Sequence, residues 1–145
     1  MHGANCPRSC ANGWKTSSGR SEATDLFLEA LSSQPASVRE MTAWAMAISG
    51  DKRSVLALSL AVAGDEDPQV RQRSAWALGI LRDSAAVDAL VKGLSDSDSD
   101  VQSMSAWSLG ILGESEAVSA LKSIEEQSDS PEVRERVRWA IEMIQ

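Results

Sequence analysis

Few residues of this 145-residue chain could do chemistry. The single histidine, His2, stands close to Cys6 and Cys10 in Cys6-Pro-Arg-Ser-Cys10. These are soft ligands, but a structural zinc site takes four of them, and only three are on offer before the cysteines run out. A thioredoxin-type redox pair has two intervening residues beside a βαβ pattern, whereas three separate this pair and no strand pattern follows. Two reduced thiols are therefore the expectation. The acidic run Ser95 to Asp100 (SDSDSD) invites a calcium reading, yet an EF-hand loop requires Gly at its sixth position and a distal Glu, and neither register supplies them. No Ser/His/Asp or Cys/His set can be assembled, and no Gly-rich phosphate loop is present. The expectation is a non-enzyme with neither metal nor cofactor.

What remains is aromatic. There are five Trp, one Phe and no Tyr, and four of the Trp fall at 44, 76, 107 and 139, spaced 32, 31 and 32 apart. Each lies six residues after a Val. Val70 to Leu81 (VRQRSAWALGIL) returns as Val101 to Leu112 (VQSMSAWSLGIL) with eight of twelve positions identical, and fainter copies start at Val38 and Val133. A fixed period of this length is the mark of a repeat array, in which each unit buries its apolar face against its neighbours.

Helix signals within each period are regular. Pro35 precedes a helix over 36–49. Asp51 is read as the cap of 52–63, and Asp67 with Pro68 opens the helix that ends at Leu81. Asp83 is read as capping 84–94, and Asp98 precedes 99–112, which Gly113 stops. Helix 115–127 follows, and Ser130 with Pro131 opens the last, to Ile144. With a helix over 25–33, the sum is eight helices in four pairs. Short connections make the members of a pair antiparallel neighbours. No segment alternates with the period of a strand. The predicted fold is all-α, an α-solenoid (superhelix) of four antiparallel helix pairs. Its repeats span about 23–50, 51–81, 82–112 and 113–145. Residues 1–22 are rich in Gly, Ser, Asn and Pro and read as a flexible N-terminal arm ahead of the 23–145 repeat domain.

The second helix of each pair reads V-R-x-x-[ST]-A-W-A-L-G-x-L, followed by a turn and an A-V-x-A-L helix (Ala86–Leu90, Ala117–Leu121). This resembles the HEAT-like repeat of the phycobilisome lyase type, related to HEAT and armadillo repeats, over roughly residues 24–145. The resemblance implies a solenoid whose second helices line a concave binding surface. Among HEAT-like enzymes, the hydroxylases that modify deoxyhypusine hold iron with His-Glu pairs, which this chain lacks. HEAT-like DNA glycosylases are basic on the concave face, and this chain is not.

At about 100° per residue, positions 0, +4, +7, +8 and +11 from the repeat Val share one arc, which is the predicted core stripe. Ala75 with Gly79, and Ala106 with Gly110, occupy another side, where small residues would let repeats approach. In the last helix these become Arg138 and Glu142, read as the polar outer face of a terminal cap. Positions +3, +6 and +10 form a third stripe: Met41, Trp44, Ile48; Arg73, Trp76, Ile80; Met104, Trp107, Ile111; Arg136, Trp139, Met143. Two readings stand open. Each Trp could pack sideways and staple the array, or the stripe could be an exposed apolar groove for a partner. Arg39, Arg71, Arg73, Arg134 and Arg136 flank the stripe and could meet acidic groups of a partner, while the column at +1, with Gln102 in the third copy, is expected to make inter-repeat ion pairs. A second apolar feature is predicted on the convex side, where Leu28, Leu56 and Leu60 occupy outward positions that are polar in the middle repeats and would suit an oligomer contact.

Lys and Arg number 14 against 21 Asp and Glu, a net charge of −7. Such a chain has no electrostatic drive toward nucleic-acid phosphates or anionic membrane surfaces. No apolar run is long enough to span a bilayer, and no signal-peptide stretch opens the chain, so a cytoplasmic location is expected. The leading function is a non-enzymatic interaction module or scaffold. It would bind an apolar segment of a protein partner, or a second copy of the chain, on the Trp/Ile-lined concave face. The alternative, implied by the resemblance, is a bilin lyase-like handler of linear tetrapyrroles, with rings stacked on Trp and propionates paired with Arg.

Overall fold

The computed structural model describes residues 17–33 and 35–145, and every statement below concerns these. The expectations for His2, Cys6 and Cys10 lie outside the described residues. Eight α-helices are described: α1 (Ser17–Ser33), α2 (Ala36–Ser49), α3 (Ser54–Gly64), α4 (Pro68–Leu81), α5 (Val87–Gly93), α6 (Ser99–Leu112), α7 (Val118–Gln127) and α8 (Pro131–Ile144). Single 3-10 turns, Ser84–Ala86 and Ser115–Ala117, lead into α5 and α7.

The helix starts follow the capping chemistry closely. The Asp67 carboxylate accepts from the Gln69 amide at 2.8 Å. Asp98 accepts from Asp100 at 2.9 Å and Val101 at 3.1 Å. Ser130 Oγ accepts from the Val133 amide at 3.3 Å. Each satisfies amides that the first helical turn leaves without a partner. Asp83 accepts from the Ala85 amide at 2.9 Å, so it caps the 3-10 turn rather than α5 itself.

Two starts differ from expectation. Asp51 does not cap α3. Its carboxylate instead takes the Arg53 amide at 2.9 Å and the Thr24 hydroxyl at 2.6 Å, tying the loop to α1. The helix consequently begins at Ser54. The first helix begins at Ser17, not at 25, and so takes in residues 17–22 of the expected arm. That stretch carries no apolar period, but extending a helix already nucleated around Leu26–Leu31 adds one hydrogen bond per residue fixed.

Each first helix packs antiparallel on its second, and each second helix packs on the second helices of its neighbours. First helices touch one another less extensively. The row with the closer packing is the inside of the curve, so α2, α4, α6 and α8 form the concave layer. The core lies between the two rows. The predicted stripe supplies it: Val70, Ser74, Ala77, Leu78 and Leu81 are buried, as are Val101, Ser105, Ser108 and Leu109, with Leu112 at the edge.

Small residues at the junctions do what close approach requires. A Cβ on Gly79 would lie 2.6 Å from Ser108 Oγ and 3.1 Å from Ser108 Cα. One on Gly110 would lie 2.7 Å from Trp139 Cζ3 and 3.0 Å from Ala140 Cα. Ser108 uses the proximity to donate a 2.7 Å hydrogen bond to the Ala75 carbonyl across the junction.

A ladder of ion pairs runs along the same junctions. Arg39 donates two hydrogen bonds to Asp65, at 2.8 and 2.9 Å. One period on, Arg71 does the same to Asp96, at 2.9 and 3.1 Å, and reaches back to the Asp65 carbonyl at 2.8 Å. Both carboxylates also take the amide two residues on, Asp67 and Asp98. Burial opposes the charge on Asp65. The Arg39 guanidinium, the Asp67 amide and the charges of Arg39 and Arg71 outweigh it and hold the group below its ordinary range. The third rung lapses on both sides at once, since Gln102 stands where Arg71 stood and Ser128 where Asp96 stood. Neutralising both partners avoids the larger cost of leaving one buried charge alone.

Candidate functional site

The four stripes at +3, +6 and +10 all lie on the concave layer, but the structure does not treat them alike. Trp44 is 43% exposed, with Met41 at 63% and Ile48 at 61%. Trp76 and Trp139 are half-buried and pack against the core, as Met104 does. Trp107 and Ile111 are half-buried, while Ile80 and Met143 are exposed.

Position +6 points away from the first helix of its own pair, and +3 leans toward the preceding repeat. The +3 side chain therefore lies over the junction and partly shields the aromatic ring behind it. Arg73 shows this directly. It pairs with Glu40 of the preceding repeat at 3.2 Å, and its guanidinium lies 5.6 Å from the Trp76 ring centroid. Arg136 lies over Trp139 at 5.8 Å. Met104, Trp76 and Trp107 line one cleft of about 330 Å³ with Gln72, Asp100, Ser103 and Arg136. The next +3 residue after Trp44 is Arg73, which is engaged by Glu40 and the Trp76 ring, and Trp44 stays exposed.

The fold thus joins Trp76, Met104, Trp107 and Arg136 in one cleft. It places Met41 and Trp44 in another, of about 430 Å³, with Phe27, Val38 and Ala45. Ile48, Ile80 and Met143, all at +10, are exposed, while Ile111 in the same column is half-buried. Phe27, Val38 and Glu40 did not emerge from the sequence as site residues. Glu40 could have: it stands at +2, one column from Arg73 at +3, and the two columns face each other across a junction.

On the convex side Leu56 and Leu60 are exposed, at 71% and 65%. Leu28 departs from its predicted outward position. It is half-buried and packs against the core, lining with Leu60 a groove of about 460 Å³ between α1 and α3. The reason is its angle on α1, which faces the neighbouring first helix rather than solvent. Leu56 and Leu60 also line a second groove with Ala89 and Lys92 of α5.

Among the described residues no three His, Cys, Asp or Glu side chains converge on a common point. No described helix is long and apolar enough to cross a membrane.

Four helix pairs stacked with a continuous core, close second-helix junctions and an Arg–Asp ladder define an α-solenoid. The family of HEAT repeats matches residues 55–142, and the chain belongs to it. One similar solved structure is the complex of CpcE and CpcF of phycocyanin lyase from Nostoc sp. PCC7120. It shares 26% identity at a TM-score of 0.74, over 83% of this chain and 52% of that one. Another is human deoxyhypusine hydroxylase in complex with glycerol, with 25% identity and a TM-score of 0.72, over 83% of this chain and 42% of that one. This chain thus spans about half the length, or less, of both. No curated protein matches it.

Proposed function

We propose that the protein is a non-enzymatic interaction module whose concave face holds an apolar segment of a protein partner. The observation that carries this reading is the exposure of Met41, Trp44, Ile48, Ile80 and Met143 on the concave layer. Soluble chains seldom leave such residues in contact with water without a use for them, and Trp is enriched where binding energy concentrates. Arg73, Met104 and Arg136 set the gaps between the aromatic rings and so shape what fits. HEAT-repeat arrays are interaction scaffolds as a fold class, and the CpcE and CpcF neighbour is itself a complex of two proteins.

Selection of random twelve-residue peptides on the immobilised chain tests the reading. Recovered sequences should be apolar or aromatic, and their binding should fall at least roughly tenfold on Trp44→Glu or Ile80→Glu, about 1.4 kcal/mol or more. Recovery of purely charged peptides, or indifference to both substitutions, would exclude it.

A second reading has one observation behind it. The phycocyanin lyase neighbour shares 26% identity over most of this chain, and Arg136 stands in the cleft with Trp76 and Trp107. Those groups suit the propionates and rings of a linear tetrapyrrole. Titration with a free bilin, read by a red-shifted absorbance band and Trp quenching, would support this reading. An unchanged spectrum would remove it.

A further inference from the structure

We infer that the convex face of α3 is a self-association surface, on which a second copy of this chain packs antiparallel about a two-fold axis. α3 lies inside the array, with α1 on one side and α5 on the other, so its exposure does not come from standing at an end. Its sequence, SVLALSLAVAG, carries no charge. A helix apolar on every side is ordinarily covered on every side. Val55, Leu58, Ala61 and Val62 are buried in the core, yet Leu56 and Leu60, which share the outer face, stand exposed. One period on, the same two columns in α5 hold Asp88 and Lys92, both exposed, which is how a wet outer face is built.

The two leucines form a ridge between two grooves. Leu28 and Ala57 line the groove toward α1, and Ala63 and Ala89 the groove toward α5. Charge stands at the two ends of the ridge, opposite in sign. Lys52 lies just before α3 and Glu66 just after it, and both are exposed. Glu66 approaches Arg39 only to 3.8 Å, while Asp65 holds Arg39 at 2.8 Å.

That placement of charge decides which occupant fits. A two-fold axis passing between Leu56 and Leu60 sets α3 antiparallel on its own image, with Leu56 of each copy beside Leu60 of the other. Lys52 of each copy then meets Glu66 of the other, and Asp88 faces Lys92 across the flank. A parallel pairing would bring Lys52 onto Lys52 and Glu66 onto Glu66, and is disfavoured. With 21 acidic residues against 14 basic ones, two copies repel in most orientations. On this face the acidic excess is absent, since the groove between α3 and α5 gathers Lys52, Arg53 and Lys92 against Asp83 and Asp88. A contact through one helix and its flanks is at the small end of interface sizes, so the association is weak, of roughly micromolar strength. It closes at two copies and leaves both concave faces open.

The test uses the full chain, with light scattering behind size-exclusion chromatography between about 5 and 500 µM. The unaltered chain should run at twice its 15.5 kDa mass at the upper concentrations. Leu56→Glu and Leu60→Glu should each weaken dimerisation at least about 30-fold with the helical circular-dichroism signal unchanged, since both side chains already face water. Lys52→Glu and Glu66→Lys should each weaken it about fivefold, every change acting twice, and the two together should restore the unaltered affinity to within about twofold. Ile80→Glu should leave the dimer intact, and Leu56→Glu should leave peptide capture on the concave face intact, so the two proposals fail separately. Hydrogen exchange of the unaltered chain guards against variants that fail to fold, since amides of 54–64 should gain protection as concentration rises and those of 131–144 should not. A monomer throughout the range would overturn the inference, including one that dimerises only after residues 1–16 are removed. So would a dimer indifferent to Leu60→Glu, or one that the paired charge exchange fails to restore.

Discussion

At the scale of single residues, some small side chains are small for a reason and others are not. Gly110 sits where a Cβ would strike Trp139 and the Ala140 backbone. Gly64, the last residue of α3, has nothing within 4 Å of that position. Gly64→Ala should therefore stabilise the fold by roughly 0.5–1 kcal/mol, because the helix loses less backbone entropy. Gly110→Ala should destabilise it by about 1–3 kcal/mol despite the same propensity gain, since backbone must move to relieve the contact. Urea unfolding monitored by circular dichroism separates the two by sign. Asp65 supplies a second test. Its folded-state pKa is depressed, so the stability it contributes is present above the ordinary carboxylate value of about 3.9 and is lost as pH falls below it toward the folded value. Asp65→Asn should cost most near neutral pH, and the gap to the unaltered chain should narrow below about pH 4. A gap of constant size down to pH 2 would mean that the carboxylate charge does no stabilising there.

At the scale of helices and their junctions, each repeat is held to the next by three devices. These are a close contact through Gly or Ala, an Arg–Asp rung, and the core stripe. The third junction lacks the rung, as Gln102 and Ser128 replace its two ends. Restoring it is a clean experiment. Gln102→Arg alone, or Ser128→Asp alone, places one charge in a partly buried spot, but together they should recover a favourable coupling of about 1 kcal/mol in a double-mutant cycle. Zero coupling would show that the two existing rungs set register without adding stability. The helices themselves were legible in the sequence because caps and prolines mark their starts, as Asp67-Pro68, Asp98 and Ser130-Pro131 do. Asp51 misled for a physical reason. Its carboxylate is recruited by Thr24 from another helix, a tertiary contact that local spacing cannot reveal. The start of α1 at Ser17 was hidden for a related reason, since Ser17–Glu22 carry no apolar period of their own.

At the scale of the whole molecule, the period of the Trp residues was enough for a repeat array of four pairs, while the concave row of second helices followed from the family resemblance. It was not enough to give the exposure of each Trp. That depends on which +3 side chains lie near each ring, from the same helix or the next, so the same Trp column is open at Trp44 and half-covered at Trp76, Trp107 and Trp139. The two readings left open for the ladder thus divide along the chain. Trp139 staples, pressing its ring on Gly110, while Trp44 faces water. The unfolding free energy of Trp44→Ala, set beside that of Trp139→Ala, separates an open stripe from a structural one. An open binding stripe predicts a loss under about 1 kcal/mol at Trp44 and about 3 kcal/mol or more at Trp139, where a large ring leaves a packed junction. Equal, large losses at both positions would contradict the account, because Trp44 would then belong to the fold and not to a partner.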